Sequence, residues 1–388
     1  MSELRYREAL NLALREELSR DERVVLLGED IGVFGGAFKV TEGLLEEFGE
    51  RRVRDTPISE NTIVGMGVGA AMTGLRPVVE LMTINFSLLA FDQIVNHAAH
   101  IRYMFGGQVS VPLVIRMPQG AGHQLGPTHS HCLEAMFLHV PGLLVAVPAT
   151  PADARGLLKT AIRDDNPVVF IEHESLYGVR GEVPDAAGAE DESAGGVDRE
   201  NSRDKDDGKG KGSGSGSGDR GDSGTEAADG LVDFGHARIA REGSDVTIVG
   251  VSRMALTAER AAASLAAEHG VEAQVIDPRT LRPLDLDTVL DSVRTTNRCV
   301  VVEEGWPHGG VGANLAALIA EHAFDDLDAP VARVSGADVP MPYSKPLEDI
   351  AYPHEPQIVA AALRVLGLSE RPTASSNSAA VANVGKAR

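Results

Sequence analysis

The chain has 388 residues, 43% of them hydrophobic, and a formal net charge of −21. That length exceeds one ordinary domain and predicts two, with material for sizeable cores. The acidic balance argues against a nucleic-acid backbone as partner, because phosphate binding needs clustered lysine and arginine. The first element in chain order is an amphipathic helix, with Tyr6, Leu10, Ala13, Leu14 and Leu18 on one face. Val24 to Leu27 is a short all-apolar run, as expected of a strand covered on both faces. Thr41 to Phe48 reads as a helix stopped by Gly49. A small-residue helix with Gly65, Gly67 and Gly69 follows Glu60. Further strands are expected at 78–82, 113–116, 143–147 and 168–172, with helices at 88–102 and after Pro151. Such alternation predicts a parallel sheet with helices on both faces.

Residues 186–229 contain no Leu, Ile, Met, Phe, Tyr or Trp and include the run Gly212-Ser213-Gly214-Ser215-Gly216-Ser217-Gly218. Burial there cannot offset chain entropy, so a disordered linker is expected over 185–230, either a plain tether or a docking element. The segment holds 12 acidic and 6 basic residues, leaving −15 elsewhere, which suits either docking onto a basic partner or solubility alone. A second α/β unit is expected over 231–368, with strands at 245–251, 271–277, 298–303 and 331–334 and helices at 256–269 and 311–322. A disordered tail is expected over 369–388, and the first unit spans 1–184. No apolar run reaches the ~18 residues of a membrane helix, and the first residues do not read as a signal peptide. Cys132 and Cys299 give no disulfide framework, so a cytoplasmic location is expected.

Four places stand out. Glu60 follows a strand and a proline and precedes a helix, so it either faces the crevice at the strand ends or merely favours the helix N-terminus. Gly65 and Gly69, four apart, permit close approach to a partner's helix or to the chain's own sheet. The loop Pro118 to Cys132 holds His123, His129 and His131. Their spacing matches no four-ligand zinc pattern, which leaves a proton-carrying histidine or surface residues. Gly309-Gly310-Val311-Gly312 before a helix reads as a phosphate cradle or as a tight turn with close packing.

Longer stretches resemble a known family. These are Leu27-Gly28-Glu29-Asp30, Arg54-Asp55-Thr56-Pro57-Ile58-Ser59-Glu60-Asn61, Val68-Gly69-Ala70-Ala71-Met72-Thr73-Gly74-Leu75-Arg76-Pro77 and Phe91-Asp92-Gln93-Ile94-Val95-Asn96. Gln124-Leu125-Gly126, His129-Ser130, Ala161-Ile162-Arg163-Asp164-Asp165-Asn166-Pro167 and Val302-Glu303-Glu304 continue the likeness, which covers about 1–185 and 231–366. They resemble beta subunits of thiamine-diphosphate-dependent 2-oxo acid dehydrogenases, closest to the pyruvate, acetyl-transferring type. Asn85-Phe86-Ser87 fits the pyruvate branch; the branched-chain and acetoin enzymes are the neighbouring alternatives, and a catalytically silent assembly subunit is a third.

The resemblance implies two transketolase-like domains, the first binding the cofactor's pyrimidine, and an α2β2 assembly with an alpha subunit that holds the diphosphate and Mg²⁺. No Gly-Asp-Gly motif for that metal occurs in this chain. It further implies that Glu60 shares a proton with the aminopyrimidine ring, so that the cofactor's C2 carbon is deprotonated and attacks the 2-oxo acid. Phe86 is implied to pack on that ring, and His129 to serve acetyl transfer to the lipoyl group of a dihydrolipoyl acyltransferase. A monovalent cation, normally K⁺, is implied at Leu113, Ala161, Ile162, Asp164 and Asn166. The sequence departs from the family at His131, where glutamine is commoner, and at Met117 and Gln119, where small residues are commoner.

Overall fold

The computed structural model of the protein describes residues 1–184 and 229–368. Apart from Asp229 and Gly230, the expected linker lies outside the described residues, as does the tail from 369.

The first domain is built on a seven-stranded sheet. Its strand order is Thr280–Arg282, Leu144–Ala146, Val168–His173, Val114–Gln119, Arg76–Glu80, Val24–Gly28 and Val53–Asp55. Six of these strands run parallel, and Thr280–Arg282 joins them antiparallel at one edge. Val24–Gly28 is buried along its whole length, as its unbroken apolar run predicts. The helix Tyr6–Arg20 buries Tyr6, Leu10, Ala13, Leu14 and Leu18, and packs against Pro151–Arg163 on one face of the sheet. The second of these helices begins cleanly: the Thr150 hydroxyl accepts the Asp153 N–H, and Pro151 occupies the first turn, where no N–H is needed. The Gly-rich helix Glu60–Met72 packs against Arg76–Glu80.

Two expected helices differ. Thr41 to Phe48 yields only Leu44–Phe48, because Gly43 at φ 80° takes the left-handed conformation and breaks its first turn. Residues 88–102 do not form one helix. They divide among a 3₁₀ turn Ile84–Ala90, a π turn Gln93–Ala98 and a short helix Ile101–Met104. The Ser87 hydroxyl donates to the Ile84 carbonyl at 2.5 Å, and the Thr83 side chain accepts the Asn85 N–H; both tighten the start of that segment.

The second domain has a five-stranded sheet in the order Ala332–Val334, Cys299–Val302, Val246–Gly250, Ala273–Asp277 and Arg238–Arg241, with only the last strand antiparallel. Its helix Arg253–His269 ends at Gly270 (φ 64°), the left-handed cap its position after the apolar pattern predicts. The antiparallel pair Ser2–Arg5 with Arg180–Val183 was not foreseen from the sequence pattern. Among the described residues no helix is long and apolar enough to cross a membrane.

Candidate active site

The C-terminal ends of four neighbouring strands carry the candidate residues, which is where open α/β sheets bind ligands. Glu29 follows Val24–Gly28, and Glu60 follows Val53–Asp55 by one turn. Thr83 to Phe86 follow Arg76–Glu80, and the histidine loop follows Val114–Gln119. Just below these ends, Arg116 donates to Glu172 at 2.6 and 2.9 Å and to Glu80 at 2.5 Å, a buried ionic cluster across three strands. The Tyr177 hydroxyl donates to Glu172 at 2.6 Å and completes it. A cluster so fully hydrogen-bonded holds the strand ends in register.

Glu60 is 5% exposed, and among the described residues no hydrogen bond or ion pair reaches its carboxylate. Glu29 is its acidic neighbour. Burial raises the Glu29 carboxyl, and the charges of Glu60 and Asp30 raise it further. The Glu60 side chain is mostly enclosed, yet its carboxylate oxygens are not among the buried unpartnered atoms, so they open toward the crevice and are free to accept a hydrogen from a bound group. The geometry therefore fits a ligand that brings a ring nitrogen or another polar hydrogen to Glu60.

Phe86 and His129 meet edge to face, with ring centroids 5.2 Å apart at 83°. Asn85 ties their two segments together. Its side-chain oxygen accepts the His131 N–H at 3.3 Å, and its amide donates to the Pro127 carbonyl at 3.5 Å. The Thr128 hydroxyl lies 3.0 Å from His129 Nδ1. The three histidines of the loop diverge. His123 is exposed, His129 faces Phe86, and His131 meets Trp306 edge-on at 5.0 Å, its ring pushed toward the neutral form by burial. They do not form one metal site.

A different cluster does have ligand spacing: Cys132, His173 and Glu304 offer atoms within 4.8 Å of one another. Arg253 already lies 2.5 Å from Glu304 there, and its charge opposes a metal ion. The Ser175 N–H lies 3.2 Å from His173 Nδ1, so Nε2 carries the proton and donates to Glu304 at 2.9 Å. Burial lowers His173 and keeps it neutral. Burial alone would raise Glu304, but Arg253, His173 and the Ala121 N–H outweigh it and hold the carboxyl at about 2.

Of the expected cation-site residues, Leu113, Ile162, Asp164 and Asn166 bond around the turn at Pro167, and Ala161 lies in the helix that leads into it. Arg76 donates to the carbonyls of Ile162 (3.0 Å) and Asp164 (2.9 Å), and the Leu113 carbonyl accepts the Val168 N–H at 2.8 Å. The Asp164 carboxylate accepts the Asn166 N–H at 2.7 Å and its side-chain amide at 2.9 Å. Each carbonyl keeps a second lone pair, but the Arg76 guanidinium already sits on the Ile162 and Asp164 oxygens, and its charge opposes a cation at those two ligands as that of Arg253 does at Glu304.

The loop Gly309 to Gly312 is not an open cradle. The Gly312 N–H donates to the Glu303 carboxylate at 3.0 Å, and a Cβ at residue 310 or 312 would run into that carboxylate. The helix N-terminus takes its anion from within the chain. The parts that sequence reasoning missed are Glu348, Glu304 and Arg253 as partners of the histidine loop. No motif marks Glu348 or Arg253; only Glu304 lay inside a stretch singled out beforehand.

Residues 2–180 match the family described as transketolase, pyrimidine binding domain, and residues 235–358 match transketolase, C-terminal domain. The chain is 45% identical to the mitochondrial pyruvate dehydrogenase E1 component subunit beta of Dictyostelium discoideum, over 94% of this chain and 91% of that protein. It is 44% identical to the corresponding subunit of Rickettsia felis, over 92% of this chain and 97% of that one. The mitochondrial subunit beta-1 of Arabidopsis thaliana is 46% identical over 93% and 89%. Among solved structures, a split gene transketolase, described as an inactive beta4 tetramer, superposes with a TM-score of 0.67 at 23% identity, covering 94% of this chain and 99% of that one.

Proposed function

Because the chain belongs to the family of pyruvate dehydrogenase E1 component beta subunits, we propose that it works as the beta half of a thiamine-diphosphate-dependent pyruvate dehydrogenase. The cofactor supplies the electron sink for decarboxylation of the 2-oxo acid. What this chain adds is a set of positioned groups. Glu60 holds or accepts a proton at the pyrimidine ring nitrogen, a task its low exposure and lack of any described partner suit. Phe86 packs against that ring. His129, held edge-on to Phe86, would orient the intermediates of acetyl transfer and supply a proton to the lipoyl sulfur released when the disulfide opens. The unpartnered Glu60 carboxylate is the observation that carries this reading.

The partners follow from the same reading. An alpha subunit completes an α2β2 assembly and holds the diphosphate through Mg²⁺, and a dihydrolipoyl acyltransferase accepts the acetyl group. K⁺ would be held by carbonyls and an acid at Leu113, Ala161, Ile162, Asp164 and Asn166, and the location is cytoplasmic.

The test is artificial-acceptor reduction by this chain assembled with its alpha subunit, with thiamine diphosphate and Mg²⁺, compared across pyruvate, 2-oxoisovalerate and acetoin. Activity only in the pair and highest with pyruvate is the expected result. Preference for a branched acid or for acetoin would replace the substrate and keep the chemistry. A well-formed but inactive pair would replace the enzyme reading with an assembly role. Glu60→Gln should lower turnover by at least about 10²-fold, the scale of one lost general acid–base group, while the assembly survives. Wild-type turnover in that variant would remove Glu60 from the reaction.

A further inference from the structure

The histidine loop is gripped from the second domain. Gly120, Gly122, Gln124 and Gly126 have φ of 99°, 123°, 58° and 75°. Alternating left-handed residues turn their N–H groups toward a common side and create a concavity for an anion. Two carboxylates of this chain fill it. The N–H groups of Gly122 and Gln124 both donate to Glu348 Oε1, at 3.0 and 2.9 Å. The Ala121 N–H donates to Glu304 Oε1 at 2.7 Å. Glu348 is fully buried in the helix Lys345–Ala351, and Tyr343, just before that helix, lays its ring against Gly126. A side chain at position 126 would collide with that ring.

Gln124 is the residue that most needs this support. It is not a glycine, yet it sits in the left-handed region, so its conformation persists only where its surroundings impose it. His129 follows in the same loop, where Asn85 holds Pro127 and His131 on either side of it and Glu348 holds the strained start that leads into them. From this geometry we propose that Glu348 is a positioning residue for His129. Its carboxylate fixes the strained start of the loop and so sets where the imidazole stands over Phe86. The proposal rests on the reading of His129 as the group that serves acyl transfer. Glu348 is fully buried and acts through the loop amides it holds.

The test uses the assembled alpha–beta enzyme with Glu348→Ala, Glu348→Gln, His129→Ala and the double variant. Two rates are measured, artificial-acceptor reduction and acetylation of a lipoyl domain. Misplacing a catalytic group by about 1 Å costs on the order of 10²-fold. Glu348→Ala should therefore lower lipoyl acetylation by roughly 10- to 100-fold, and lower acceptor reduction less. Glu348→Gln, which keeps an oxygen for the two amides, should recover most of the loss. The double variant should be no slower than His129→Ala, since both act through one group. A merely structural role predicts equal losses in both rates and a double variant slower than either single one, and that pattern would overturn the proposal. A defective His129→Ala beside a fully active Glu348→Ala would overturn the proposal alone. A fully active His129→Ala would overturn the reading of His129 and this inference with it.

Discussion

Glu174 shows how one side chain reports on the contact between the two domains. It follows His173 at a strand end, and neither of its carboxylate oxygens has a hydrogen-bond partner. Burial, then the charges of Glu304 and Glu348, push its pKa up to about 8. It is therefore protonated near neutrality, which spares that contact a third negative charge. In the unfolded chain a glutamate titrates near ~4.3. A raised folded value means that its contribution is full below the unfolded pKa and is lost as pH rises through the folded one. The melting temperature should accordingly fall between about pH 5 and pH 9, and Glu174→Gln should flatten that slope. Thermal unfolding across this range at constant ionic strength decides it; equal slopes in the two proteins would refute the assignment.

At the scale of elements, the Gly-rich helix Glu60–Met72 separates two uses of glycine that spacing left open. A Cβ at Gly67 would lie 2.8 Å from Val79 Cγ1 and 2.9 Å from Leu113 Cδ1, so this glycine lets the helix sit close on its own sheet. At Gly65 the Cβ would meet only the Gln93 side chain, at 3.2 Å, and at Gly69 nothing of this chain within 4 Å. Of the two alternatives for Gly65 and Gly69, packing on the chain's own sheet is not what they do: within the chain it is Gly67 that packs. Gly67→Ala should destabilise by about 1–3 kcal/mol through overpacking. Gly69→Ala should cost nothing within the chain and gain up to ~1 kcal/mol of helix propensity. Denaturant unfolding measures both, and destabilisation by Gly69→Ala as large as that by Gly67→Ala would contradict this division. The broken segment at 84–104 was illegible for a different reason. Its apolar residues recur at helical spacing, but the turn is shaped by Thr83, Asn85 and Ser87 bonding to backbone and to the histidine loop. Periodicity does not register such bonds.

At the scale of the molecule, the two domains are stitched together. Thr280–Arg282 leaves the second domain's run of elements to pair with Leu144–Ala146, and Arg279 meets Asp153 at 2.7 Å. Arg155 marks where the first domain ends and the chain returns. It donates to the Pro184 carbonyl at 3.1 Å, and a Cβ at Gly230 would lie 2.6 Å from its guanidinium. Asp229 is held beside it by Lys159 at 3.0 Å and Arg163 at 2.5 Å. Since both ends stand against one side chain, replacing residues 185–228 with a short Gly/Ser link should preserve melting temperature and turnover of the assembled enzyme. Loss of either would give that segment a role in the folded body.

The alternation of strands and helices in both domains and the buried runs at 24–28 and 168–173 were determined by the sequence itself, which left the place of Glu60 open between the crevice and a helix N-terminus. They rest on local rules of apolar periodicity, caps and strand-end placement, which act over a few residues at a time. The family likeness in motifs such as Arg54 to Asn61 was equally legible. Only the tertiary structure decided that Glu303 fills its own helix N-terminus, that Thr280–Arg282 crosses to the other sheet, and that Glu348 holds the loop of His129 from more than 200 residues away along the chain. The first joins residues nine apart around a single strand end, a turn that apolar periodicity does not register, and the other two bring together groups distant in sequence that meet only once the two domains are packed.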